Sequence, residues 1–265
     1  MTSVEFWSSW WWPALTAVTG LVFAALVFAQ WLARRKAHQL CWAVGLLMYA
    51  VAAMMEAWSE YTGVWDPTVY RIYIVLAASL VGYLGSGSAY LMIHKRRWVA
   101  HVYLAYNIVL TAIFLIGAFT AELRMEYLVP GITVGGQALG APGSFPRYLS
   151  MFITIPGTFF LLGGAIVSVW RFARKKEYAY RMWANVLIAA GTVLIAWAGS
   201  LARAGQAVGL YPAEMVASAL LLAGFLMAGD LKKGAHAAIE AGQQRRAAQA
   251  EAADGAAQRP DQPSS

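Results

Sequence analysis

The sequence predicts an all-α fold: a polytopic membrane protein built as a seven-helix transmembrane bundle, N-terminus outside and C-terminus cytoplasmic. Three observations carry that expectation. Of 265 residues, 60% are hydrophobic and only 12% are charged, whereas a soluble domain carries about 25% charged residues. Seven apolar stretches approach or exceed the roughly 20 residues that cross a hydrocarbon core of about 30 Å. The basic residues gather at alternate connections between those stretches. Backbone groups find no water inside a bilayer, so the stretches are expected as helices, and the alternation of a transmembrane β-barrel is absent. This composition excludes an ordinary cytosolic enzyme, a disordered chain and a nucleic-acid-binding module. One cysteine, Cys41, excludes a disulfide framework and any multi-thiolate metal site.

The expected spans are Pro13–Ala33, Leu40–Trp58, Val69–Ile93, Trp98–Phe119, Tyr148–Trp170, Met182–Leu201 and Ala213–Ala228. Orientation follows from Lys and Arg near the helix ends. Arg34, Arg35 and Lys36 follow the first span, and Lys95, Arg96 and Arg97 follow the third. Arg171, Arg174, Lys175, Lys176 and Arg181 join the fifth to the sixth, and Lys232 and Lys233 follow the seventh. The opposite side has Arg71, Arg124, Arg147 and Arg203, but also Glu5, Glu56, Glu60, Asp66, Glu122, Glu126 and Glu214. The net charge of +7 therefore reads as a topology signal on the cytoplasmic face, and the expected location is the plasma membrane. Met1–Trp12 has no basic n-region or small-residue cleavage site. Its Trp7, Trp10, Trp11 and Trp12 read as an aromatic anchor at the outer interface.

Residues 1–230 form the expected seven-helix domain, and 231–265 a largely disordered cytoplasmic tail with too few apolar residues to fold. The outer loop of 120–147 places Gly135-Gly136 between two β-prone triplets, the pattern of a short β-hairpin lid; a merely long loop is the other reading. The run Ala33-Arg-Arg-Lys-Ala-His-Gln-Leu-Cys-Trp-Ala43 is similar to Ala173-Arg-Lys-Lys-Glu-Tyr-Ala-Tyr-Arg-Met-Trp-Ala184. A 3+1+3 parallel repeat, with the fourth helix as linker, would account for it. On topology alone, residues 10–230 resemble the transporter, opsin and G-protein-coupled-receptor architecture, and the seven-helix sensory modules that precede bacterial histidine kinases. A retinal-binding opsin is excluded, because Ala213–Ala228 holds no lysine for a Schiff base.

Ionisable groups inside a membrane are costly and point to function. Glu56 and Glu60 lie late in the second span, and Arg71 lies early in the third, after the helix start Asp66-Pro67. Arg203 ends the sixth and Glu214 begins the seventh. The hairpins suggest the pairs Glu56–Arg71 and Glu214–Arg203, either as a charged outer vestibule for a polar solute or as structural ion pairs. In the third span, Gly82, Tyr83, Gly85, Ser86, Ser88 and Tyr90 belong to a run of small and hydroxyl residues, suited to close helix packing or to lining a path. Pro156-Gly157 interrupts the fifth span as a kink or hinge. Asn107 and Asn185 read as interhelical hydrogen-bond partners. The four histidines do not form a transmembrane haem pair, and no catalytic or metal motif is present. No enzyme activity, metal or cofactor is expected. The expected function is a transporter or facilitator of a small polar solute in the lipid bilayer. The alternative is a receptor-like sensor or accessory subunit acting through the tail on a cytoplasmic partner.

Overall fold

The computed structural model describes residues 9–93, 95–129, 135–141, 143–173, 179–203, 210–227 and 243, without the side chains of 168, 169, 171–173, 179–182, 185, 196 and 198–203. Its long elements are α1 (Trp11–Arg34), α2 (Ala37–Thr62), α3 (Pro67–Met92), α4 (Arg97–Thr120), α5 (Phe145–Ala173), α6 (Ala179–Arg203) and α7 (Leu210–Met227). Among the described residues there are no strands. The fold is a helical bundle compatible with a membrane. Six of the seven helices are long and apolar enough to cross one; α6 is the exception, with Val186–Ile195 as its described apolar stretch.

Local chemistry sets the helix ends. Asp66 caps α3, its Oδ1 accepting from the backbone N–H of Thr68 at 2.8 Å and of Val69 at 3.1 Å, while Pro67 fills the first helical position, where no N–H is needed. Gly63 closes α2 at φ 69°, a conformation that suits glycine. The α1–α2 turn is tighter: Arg35 takes φ 50° and its guanidinium lies 4.7 Å from the Trp31 ring centre.

The helices pack as a ring in the order α1, α2, α3, α5, α6, α7, and α4 lies outside it against α3 and α5. Small residues make the closest crossings. A Cβ on Gly85 would stand 2.6 Å from Gly157 Cα, and one on Gly157 would stand 2.6 Å from the Val81 carbonyl. Gly191 and Gly224 bring α6 equally close to α7. Large apolar side chains cover the outside, such as Ile155 and Phe159 on α5 and Ile116 on α4, each about two-thirds exposed. Such a surface suits lipid rather than water.

The connection after α4 does not form the expected hairpin. Its described part makes 3₁₀ turns at Met125–Tyr127 and Gly136–Ala138 and one isolated bridge, Leu123 to Leu139; Pro130–Val134 lie outside the described residues. The reason lies in the backbone. A two-residue hairpin turn needs positive φ, but Gly135 has φ −71° and opens the second 3₁₀ turn. The loop instead packs down on the bundle. Ala138 and Leu139 are buried with Trp65, Tyr70 and Phe114, and the Tyr70 hydroxyl donates to the Gly135 carbonyl at 3.0 Å.

Candidate functional site

Two features occupy the axis of the ring: a carboxyl–tyrosine layer near the loop end, and an apolar cavity toward the end bearing Arg34, Lys36 and Arg97.

The layer is assembled from α2, α3 and α7. Glu56 is 3% exposed and accepts a 2.6 Å hydrogen bond from the Tyr73 hydroxyl of α3. One turn outward, the Tyr211 hydroxyl donates to Glu60 Oε1 at 2.7 Å. One layer inward, Tyr49 donates to the Glu214 backbone carbonyl at 3.0 Å, and the buried Ser218 donates to the Met215 carbonyl of its own helix at 2.8 Å. Neither Glu56 nor Glu214 makes an ion pair with a described basic side chain; Arg124–Glu126, in the loop, is the ion pair among the described residues. Burying a carboxyl without a cation is tolerable only when hydrogen bonds satisfy it, and for Glu56 the Tyr73 hydroxyl supplies one.

The sequence missed this arrangement because it paired charges by hairpin rather than by helix face. Arg71 and Tyr73 are two residues apart, so about 200° separates them around α3 at 3.6 residues per turn. Tyr73 faces α2, whereas Arg71 turns to α4, donating to the Ala118 carbonyl and lying over the Phe119 ring. The expected Glu56–Arg71 pair does not form. The Arg203 side chain lies outside the described residues, and so does its pairing with Glu214. A signal for the layer was nevertheless present. Tyr49, Glu56 and Glu60 recur at i, i+7 and i+11 on α2, and Tyr211, Glu214 and Ser218 at i, i+3 and i+7 on α7, each a polar stripe on an otherwise apolar helix.

The cavity has a volume of ≈ 190 Å³ and draws its walls from all six ring helices. Phe23 and Val27 come from α1, Trp42 and Leu46 from α2, Leu84 and Ser88 from α3, with further residues from α5, α6 and α7. It reaches Met92 and Phe225, within two residues of the α3 and α7 ends. Leu46 is ten residues before Glu56, about 15 Å along a helix, and Leu221 is seven after Glu214, about 10 Å. Tyr49 and Ser218 stand between.

The small-residue run of α3 divides by face. Ser86 and Tyr90 point to α4, and Tyr83, seven residues before Tyr90, shares their side of the helix: Ser86 Oγ accepts from Asn107 at 3.0 Å and Tyr90 meets His101 Nδ1 at 2.7 Å. Gly82 abuts Asn107 and Ile153, and Gly85 abuts Gly157. Of the run, only Ser88 lines the cavity. Helix α5 continues through Pro156, and Gly157 marks its crossing with α3. Buried Asn107 donates to Ser86 and to the Tyr103 carbonyl, while Asn185 has no described side chain. Among the described residues, no group of three or more His, Cys, Asp or Glu is placed to hold a metal ion. Comparison with protein-family models, curated proteins and solved structures returns no match.

Proposed function

We propose that this chain is a multi-pass transporter or facilitator of a small solute in the cell membrane. Its loop end faces outside and its basic end faces the cytoplasm. The observation that carries the reading is the layered axis. A cavity walled by all six ring helices reaches the basic end, and a hydrogen-bonded carboxyl layer closes the path toward the loop end. The vestibule read from the sequence becomes a closed outer gate in this arrangement, since Glu56, Trp65 and Tyr70 are all buried. A solute meeting both features carries a polar group for the carboxyl layer and enough apolar surface for a chamber in which Ser88 and Thr192 are the hydroxyl-bearing walls.

The helix order supports a repeat behind this design. Exchanging α1–α3 with α5–α7 maps the α3–α5 contact onto the α7–α1 contact, and α4 stands outside the ring as a linker would. Parallel repeats placed about a central site are a recurrent transporter plan.

The test is uptake by the purified full chain in liposomes, offered labelled amino acids, sugars and amines under a pH gradient. Accumulation of one class is expected, reduced by Glu56→Gln and abolished by Leu221→Trp, which fills the chamber. No movement of any class, in either direction, would overturn the transport reading. It would favour the receptor-like alternative, in which the apolar cavity retains its ligand.

A further inference from the structure

Three described side chains with an N–H or O–H stand on the walls of the cavity: Trp42, Ser88 and Thr192. Two of them are already engaged. Trp42 Nε1 donates to the Leu84 carbonyl at 3.2 Å, and Thr192 Oγ1 donates to the Ile188 carbonyl of its own helix at 2.8 Å. Ser88 differs. A helical serine can donate to the carbonyl four residues back, as Ser86 does to Gly82 at 2.9 Å. For Ser88 that acceptor is the Leu84 carbonyl, whose two lone pairs serve the helical N–H of Ser88 itself and the Trp42 indole. Ser88 is 7% exposed, and its Oγ has no hydrogen-bond partner among the described residues. Gly164 of α5 leaves that hydroxyl uncovered, since a Cβ there would stand 3.6 Å from it. A buried hydroxyl costs free energy when it is left unsatisfied, so a free donor and acceptor on an apolar wall is a place for one polar group of a ligand.

Size and charge narrow the ligand. The volume of ≈ 190 Å³ is below the roughly 300 Å³ at which sites for drug-sized molecules begin. It is a little above the about 150 Å³ of an apolar cavity that takes up benzene. No described Asp, Glu, Lys, Arg or His lines the walls, so an ion would be buried there without a partner. Trp42, Phe23 and Phe225 supply aromatic surface, the two phenyl rings lying 5.0 Å apart between centres. We infer that the cavity binds an uncharged single-ring aromatic molecule whose one amino or hydroxyl group is held by Ser88 Oγ. Resting on the transport reading, this names the cargo. Of the amino acids, sugars and amines offered for uptake, the cavity selects uncharged arylamines. A sugar brings more hydroxyls than one free side chain can satisfy, and an amino acid brings two charges.

The experiment titrates the full chain in lipid nanodiscs with para-fluoroaniline, fluorobenzene and para-fluorobenzylamine at neutral pH. Fluorine NMR follows each probe against empty nanodiscs, so that partition into lipid is subtracted. The first two probes are uncharged and the third is a cation. Saturable binding is expected for fluoroaniline, weaker binding for fluorobenzene and none for fluorobenzylamine. Ser88→Ala should weaken fluoroaniline by about five- to tenfold, the loss of one neutral hydrogen bond, and leave fluorobenzene unchanged. Leu221→Trp should abolish both; if it fails to fold, Ser88→Ala, which removes a single oxygen, still decides. The inference is overturned if neither neutral probe saturates, if the cation binds as well as fluoroaniline, if Ser88→Ala weakens both neutral probes equally, or if binding survives Leu221→Trp. Saturable binding without any flux above that of protein-free liposomes would remove the transport reading and leave the site. Flux of a sugar or amino acid without binding of the neutral probes would do the reverse.

Discussion

The Tyr73 hydroxyl reaches Glu56 Oε1 across 2.6 Å, while Arg71, two residues earlier, faces away and donates to the Ala118 carbonyl of α4. The deepest acid of the second helix is thus satisfied by a neutral phenol. Tyr73→Phe should destabilise the folded protein by about 1–3 kcal/mol, the usual cost of stranding a buried polar group. In a double-mutant cycle, Tyr73→Phe and Glu56→Gln should couple, whereas Arg71→Met and Glu56→Gln should add within about 0.5 kcal/mol. Thermal unfolding in detergent measures both. Coupling to Arg71 instead would contradict the arrangement.

The α3–α5 crossing makes a second prediction. Gly85 has no room for a methyl group, but a Cβ on Gly135 meets nothing within 4 Å, and the φ of −71° at Gly135 suits any residue. Gly85→Ala should cost about 1–3 kcal/mol through overpacking. Gly135→Ala should leave the melting temperature unchanged. Equal effects from the two would mean that the helices do not approach as described.

The loop between α4 and α5 supplies the third. Leu139 is 1% exposed beneath it, so Leu139→Ala should cost on the order of 2–5 kcal/mol of local packing. Limited proteolysis from the loop side should cut residues 120–147 faster in that variant. Cleavage at the wild-type rate would show that the loop does not rest on the bundle.

The division between what was legible in the sequence and what was not has a physical origin. Six of the seven span positions came through because hydrocarbon thickness imposes a length and a composition, both visible one residue at a time. The capping of α3 by Asp66 and Pro67 is local and was equally readable. The carboxyl layer was harder, because its members come from three helices and depend on which way each turns. Arg71 and Tyr73 are neighbours in the chain but opposites on the helix, and no single-chain charge count separates them. The division of Tyr83, Ser86 and Tyr90 from Ser88 has the same cause. The loop had two readings because Gly-Gly permits a hairpin turn without requiring one, and its described part holds a 3₁₀ turn at Gly136–Ala138 beside the buried Leu139.

The central claim is that the cavity opens to the cytoplasm while the carboxyl layer seals it from outside. Thr192→Cys, on the cavity wall, tests this in a Cys41→Ser background in membranes of known sidedness. A membrane-impermeant maleimide should label it from the cytoplasmic side and not from the outside, and Ser59→Cys, behind the layer, should resist labelling from the cytoplasmic side. Labelling of Thr192→Cys from the outside, or its complete inertness from both sides, would contradict the account.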